Sequence, residues 1–190
     1  MTNENENASD HPLLNFYRTT GCDSSGRRIT QIWSWPHGPL ERTHDYIQWL
    51  FPTWQESPVN PAAPILTEEV VAAFRSDPKL REHLRKSLKV MLQFYGLERV
   101  EQSGAEIEIR RSDNFDQQTA YWLTPNNHNH LRITRILSSL WALGCESEAR
   151  AFFRCLEQIH KTTPNRITQK TFSFWRNAAR ADPNHGTPEF

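Results

Sequence analysis

Asp77-Pro78-Lys79-Leu80-Arg81-Glu82-His83-Leu84-Arg85-Lys86-Ser87-Leu88-Lys89-Val90-Met91-Leu92-Gln93-Phe94-Tyr95-Gly96 reads as one long helix with its own start and stop signals. Asp77 serves as cap and Pro78 as first helical residue, where a missing N–H costs nothing. Leu80, Leu84, Leu88, Met91/Leu92 and Tyr95 recur at helical spacing and form one apolar stripe. Gly96 ends the run, because it enters the left-handed conformation without a side-chain clash.

Working toward the N-terminus, Thr67 is an N-cap, followed by Glu68 and Glu69 where the helix dipole favours carboxylates. Residues 52–64 carry Pro52, Pro58, Pro61 and Pro64 and read as an extended surface loop. Leu40, His44, Ile47, Leu50 and Phe51 share one face at helical spacing, which predicts a helix over 40–51 ended by Pro52. Short helices are expected at Leu13–Thr19 and at Ile29–Trp35, the latter stopped by Pro36 and the Gly38-Pro39 pair.

Toward the C-terminus the pattern is weakest over 97–125. There Glu106-Ile107-Glu108-Ile109-Arg110 alternates as an edge strand or hairpin would near 105–111. A turn of helix is expected at Gln118–Leu123. Asn126 or Asn127 then caps a helix with Ile133, Ile136/Leu137, Leu140 and Leu143 inward, ended by Gly144. Another helix spans Glu146–His160 with Ala149, Phe152, Leu156 and Ile159 inward. After Thr163-Pro164-Asn165, a last one carries Phe172 and Trp175. The expectation is an all-α, single helical-bundle domain of six to eight helices over 11–180. It lies between a disordered lead at 1–10 and a flexible tail at 181–190.

Lys+Arg and Asp+Glu both number 22, so the chain has no bulk charge to capture nucleic acid or an anionic membrane. No apolar run approaches the ~20 residues of a membrane span, and no signal core opens the chain. Seven Trp and ten Phe compensate in buried area for few aliphatics. Cys22, Cys145 and Cys155 have neither disulfide nor metal spacing, and a reducing cytoplasm suits them. Gly-rich phosphate loops and Gly-x-Ser-x-Gly elbows are absent.

Two blocks carry an unusual mixture of polar and aromatic groups. They are Thr43-His44-Asp45-Tyr46-Ile47-Gln48-Trp49-Leu50-Phe51-Pro52 and Asn126-Asn127-His128-Asn129-His130-Leu131-Arg132-Ile133-Thr134-Arg135-Ile136-Leu137. In the first, His44 is either a base or ligand, or a hydrogen-bonded histidine at the core edge. In the second, a helix start with free N–H groups, two histidines, Arg132 and Arg135 suit an anion. The alternative is an internal ion pair of an arginine with Asp45, Glu41 or Asp113. His44, His128 and His130 with Asp45 could supply metal ligands, but the spacing is poor and no metal or cofactor is assigned.

These blocks resemble the conserved domain of the opioid growth factor receptor family. Asn15-Phe16-Tyr17, Asn60-Pro61, Ala63-Pro64, Leu66-Thr67, Phe94-Tyr95-Gly96, Leu143-Gly144 and Glu148-Ala149 extend the resemblance over about residues 13–160. The compact form looks like the stand-alone domain of bacteria and lower eukaryotes. Animal members are described as receptors for the peptide Met-enkephalin, so the resemblance implies signalling receptor activity.

The resulting expectation is a binding module for a small or peptide ligand with an anionic group, and no assigned catalytic residue. Its ligand-binding groups are His44, Asp45, Trp49, Trp122, Asn127, Asn129, His130, Arg132 and Arg135. They are set in a groove between the 40–51 and 127–143 helices walled by Trp49, Trp122 and Trp141. The rivals are a small hydrolytic or acid/base enzyme using His44 or His130, and a purely structural interaction domain.

Overall fold

Local signals of the kind carried by Asp77, Pro78 and Gly96 account for most of the elements in a computed structural model of the chain. It describes residues 11–58, 60–101, 107–163 and 165–180. The lead at 1–10, the tail at 181–190 and Pro164 of the expected break lie outside the described residues. The described chain holds ten helices and a two-stranded antiparallel sheet, so it is mainly helical with more helices than expected. It divides into two compact units, Met1–Leu84 and Arg85–Phe190.

In the first unit, helices α1 (Pro12–Tyr17) and α2 (Ile29–Trp33) form where the pattern predicts. The helix expected over 40–51 does not. Helix α3 (His37–Arg42) starts earlier, and Thr43 then turns extended, with φ −92° and ψ 131°. Helix resumes only at α4 (Ile47–Leu50). Gly38 and Pro39, expected as a stop, lie in the first turn of α3, where backbone N–H groups need no helical partner. Thr43–Tyr46 is not helical, so His44 does not share a helix face with Leu40 and Ile47.

Helix α5 (Glu68–Ser76) is capped by the Thr67 hydroxyl, which accepts the Val70 N–H at 3.3 Å. Arg81 closes its far end by donating to the Phe74 carbonyl at 2.7 Å. Tyr17 sits edge-on to Phe74 at 4.8 Å, and its hydroxyl donates to the Leu50 carbonyl. Leu13, Phe16, Ile32, Leu50 and Phe74 are fully buried in this unit.

Helix α6 (Pro78–Phe94) runs across the boundary between the units, and its stripe Leu80, Leu84, Leu88, Met91, Leu92 is buried as predicted. Gly96 has φ +73°, and a Cβ there would meet the Phe115 Cα at 2.7 Å, so both conformation and space require glycine.

Strand β1 (Leu97–Glu101) pairs with β2 (Ile107–Arg111) in register Leu97↔Arg111 through Glu101↔Ile107. The alternation at 107–110 marks β2, whereas β1 lies in the stretch the sequence leaves without an element. Helix α7 (Phe115–Trp122) follows, longer than the turn expected at 118–123. Helices α8 (Asn129–Ala142), α9 (Glu146–Thr162) and α10 (Gln169–Ala178) pack on one another, and α9 also packs on β2.

Candidate functional site

The first block is a crossing point of polar bonds in the first unit. A turn at Asp23–Arg27 buries the Asp23 carboxylate, which accepts the backbone N–H groups of Ser25 and Arg27 at 3.0 and 2.8 Å. Arg27 Nε donates to Asp23 at 2.6 Å, and Arg27 Nη2 stands 2.9 Å from Asp45 Oδ1 as an ion pair not aligned as a hydrogen bond. Asp45 also accepts the Ser25 hydroxyl at 2.7 Å, and its carbonyl accepts the Asn60 amide at 2.8 Å. Partial burial pushes the Asp45 carboxyl up. The Ser25 bond and the Arg27 charge outweigh this and hold it below its ordinary value. The Arg27 guanidinium lies 5.5 Å over Trp35, which meets Tyr46 edge-on at 5.4 Å.

His44 is exposed, not part of the apolar stripe with Ile47 and Leu50. Its place in the extended break, rather than on a helix face, is the physical reason. Trp49 is buried and packs on Phe16 at 5.3 Å. Gln48 is buried with its amide on the Ser57 hydroxyl at 3.2 Å.

The second block builds the start of α8. Asn126 takes φ +57°, which Asn tolerates. His128 occupies the cap position, yet the capping bond comes from Asn127, whose Oδ1 accepts the Asn129 N–H at 2.9 Å. Asn129 is fully buried. Its amide donates to the Tyr121 carbonyl at 2.9 Å, and its Oδ1 accepts from Arg132 at 3.2 Å. Arg132 is buried, and Arg135 is half-buried. Withdrawal from water pushes the Arg135 guanidinium down to about 10, which still leaves it charged at neutral pH.

His130 Nε2 lies 2.9 Å from the Trp122 carbonyl. A carbonyl only accepts, so Nε2 carries the proton and Nδ1 is a buried acceptor with no hydrogen-bond partner. The ring meets Trp175 edge-on at 5.4 Å, and the Trp175 indole donates to the His130 carbonyl at 3.0 Å. Burial lowers the His130 pKa, and the neighbouring His128 adds to this against the opposing bond to Trp122.

Trp122, expected as a site wall in a loop-like stretch, is the last residue of α7. It is fully buried and donates its indole N–H to the Tyr95 carbonyl at 3.0 Å. The structure thus gathers Trp122, Asn127, Asn129, His130, Arg132 and Arg135 in the second unit, while His44, Asp45 and Trp49 belong to the first.

Two groups escaped the sequence reading. Asp23 with Arg27 completes the Asp45 network, signalled only by the Asp-Ser-Ser-Gly turn sequence. Glu148 is buried in the first turn of α9 and pairs with Arg85 Nε at 2.5 Å. Burial pushes the Cys155 thiol up to about 12, which makes it a poor nucleophile. Among the described residues, no three His, Cys, Asp or Glu side chains gather as metal ligands. No helix among them is long and apolar enough to cross a membrane.

The arrangement defines a mainly helical protein in which two polar-aromatic blocks are tied into the backbone by buried hydrogen bonds. The chain belongs to the family of the opioid growth factor receptor conserved region, whose model matches residues 7–185. It is 40% identical over 145 residues to the human opioid growth factor receptor, a match covering 72% of this chain and 20% of the receptor. The mouse receptor is 39% identical over 137 residues, covering 70% of this chain and 21% of that protein. Mouse opioid growth factor receptor-like protein 1 is 38% identical over 122 residues, covering 63% of this chain and 25% of that protein. The matched region therefore spans between a fifth and a quarter of these curated relatives. No solved structure matches the chain.

Proposed function

We propose that the chain is a ligand-binding module of the receptor type that its relatives' names denote, taking a peptide or small molecule through an anionic group. The observation that carries this reading is Arg135, a charged guanidinium half withdrawn from water on α8. In such a setting an oxyanion is held more strongly than at an open surface. Leu131, one turn earlier, is 53% exposed and offers an apolar contact, and the half-buried Asn127 stands at the start of the same helix. In the first unit His44 is exposed and Asp45 half-buried, and they offer polar contacts of their own, separate from the α8 site. Trp49, Trp122, Asn129, His130 and Arg132 act by holding these groups in place. The reading puts the protein in a reducing cytoplasm, which its three free cysteines support.

The test is a titration of fluorescently labelled Met-enkephalin, as the free acid and as the C-terminal amide, read by anisotropy. The free acid should bind saturably, and about tenfold tighter than the amide. Arg135→Gln should remove that difference and leave the melting temperature unchanged. No saturable binding, or an Arg135→Gln protein that still prefers the acid, overturns the reading. The burial of Asn129, His130 and Arg132 favours a second one, in which the block only locks helices together. That reading expects Arg135→Gln to lower the melting temperature and neither peptide to bind.

A further inference from the structure

Strand β1 pairs with β2 along one edge, and the hydrogen-bond pattern fixes which residues face the other. The Ser112 N–H donates to the Gly96 carbonyl at 3.0 Å, so Gly96 and Ser112 stand opposite each other as a hydrogen-bonded pair. Such pairs alternate with non-bonded ones along an antiparallel ladder. In the register Leu97↔Arg111 through Glu101↔Ile107, Glu98 and Val100 therefore bond to β2. Leu97, Arg99 and Glu101 turn their N–H and C=O groups away from it. The same phase turns the Ile107 carbonyl outward from β2, where it accepts from Arg154 at 3.2 Å. Helix α9 packs on β2. Among the described residues, nothing bonds to the outward backbone groups of Arg99 and Glu101. Leu97 is fully buried, Arg99 and Val100 are half-buried and Glu101 is exposed, so the open part of the edge is Arg99–Glu101.

An open edge is a template for another strand. A second copy paired antiparallel about a two-fold axis can exchange backbone bonds only between outward residues. On this stretch the axis then falls at Arg99, Val100 or Glu101. At Arg99 it sets two guanidiniums opposite each other, and at Glu101 two carboxylates, both unfavourable. At Val100 it sets Arg99 of each copy opposite Glu101 of the other, with the two valines meeting at the axis. Arg99 already pairs with Glu101 of its own strand at 2.8 Å, so this register joins two ion pairs into one ring of alternating charge.

We propose that the chain forms a two-fold homodimer by antiparallel pairing of β1 with β1 of a second copy, in the register centred on Val100. The edge charges select this register and oppose its neighbours. The contact supplies about four backbone bonds and little area, which places it among weak interfaces, with a Kd of roughly 10–100 µM.

Sedimentation equilibrium of the whole chain over roughly 5–500 µM should show monomer and dimer only. Glu101→Pro removes an outward N–H and no bond to β2, and should weaken dimerisation at least about tenfold with little change in melting temperature. Arg99→Glu and Glu101→Arg each set like charges opposite one another and should each weaken it at least about tenfold. An equimolar mixture of these two variants restores opposite charges at both positions, and should return a dimer near the parent's affinity. A misfolded variant could not do so, and the mixture thereby separates loss of pairing from loss of fold. The proposal is overturned by a chain that stays monomeric throughout, by a Glu101→Pro protein with the parent's affinity, or by a mixture that associates no better than either variant alone. No ligand enters this test, so it stands apart from the binding reading.

Discussion

Replacing Asn129 by alanine removes two buried hydrogen bonds at once. The side chain has no exposed surface, donates to the Tyr121 carbonyl at 2.9 Å and accepts from Arg132 at 3.2 Å. Loss of a neutral buried hydrogen bond costs about 1–1.5 kcal/mol, and loss of one to a charged group about 1.5–3 kcal/mol. The expected destabilisation is therefore about 3–4 kcal/mol, corresponding to a drop in melting temperature of roughly 6–16 °C for a chain of this size. Asn129→Asp keeps an acceptor for Arg132 but loses the donor to Tyr121, so it should recover about half of the deficit. Both variants would be followed by urea denaturation, with circular dichroism and tryptophan fluorescence as parallel probes. An alanine variant within about 1 kcal/mol of the parent would refute the view that the second block is an internal lock. Its polar groups would then have to be explained entirely by an external ligand.

Two further outcomes follow from the same geometry. Burial lowers the His130 pKa below its ordinary 6.5, so the unfolded chain binds a proton more readily than the folded one. Stability from this histidine is complete above about pH 6.5 and is lost as pH falls toward the folded value, and His130→Gln should flatten that acid limb. An unchanged slope would assign the limb to other groups. Gly96→Ala places a Cβ at φ +73° and 2.7 Å from the Phe115 Cα, and should cost about 2–4 kcal/mol by denaturant melt. A neutral result would mean that the turn from α6 into β1 is not held where the structure has it.

Much of the helical frame was legible because its signals are local. Asp77, Pro78 and Gly96 delimit α6, and Thr67 caps α5, through bonds made within a few residues. The failure at 40–51 has a physical cause. Leu40, His44, Ile47, Leu50 and Phe51 satisfy helical spacing, but Asp45 is drawn to Ser25 and Arg27, some twenty residues upstream. Spacing cannot register a bond of that range. Strand β1 was invisible for a similar reason: Leu-Glu-Arg-Val-Glu lacks clean alternation, and its extended form comes from pairing with β2. The site residues were legible by type but not by depth. Asn129 and Arg132 look like surface polar groups in any amphipathic plot, yet both are buried because the backbone and each other supply their partners.

The boundary between the two compact units falls within α6, between Leu84 and Arg85. Cutting the gene there would leave helical stubs of seven and ten residues, Pro78–Leu84 and Arg85–Phe94. Both are shorter than the ~12–15 residues at which isolated helices become even marginal in water. Each half would also carry an unfinished apolar stripe into solvent. The shared helix makes the units unsuited to exchange or separate expression by a simple break at their border. A shuffled or truncated version would have to carry the whole of Pro78–Phe94 with whichever half it kept.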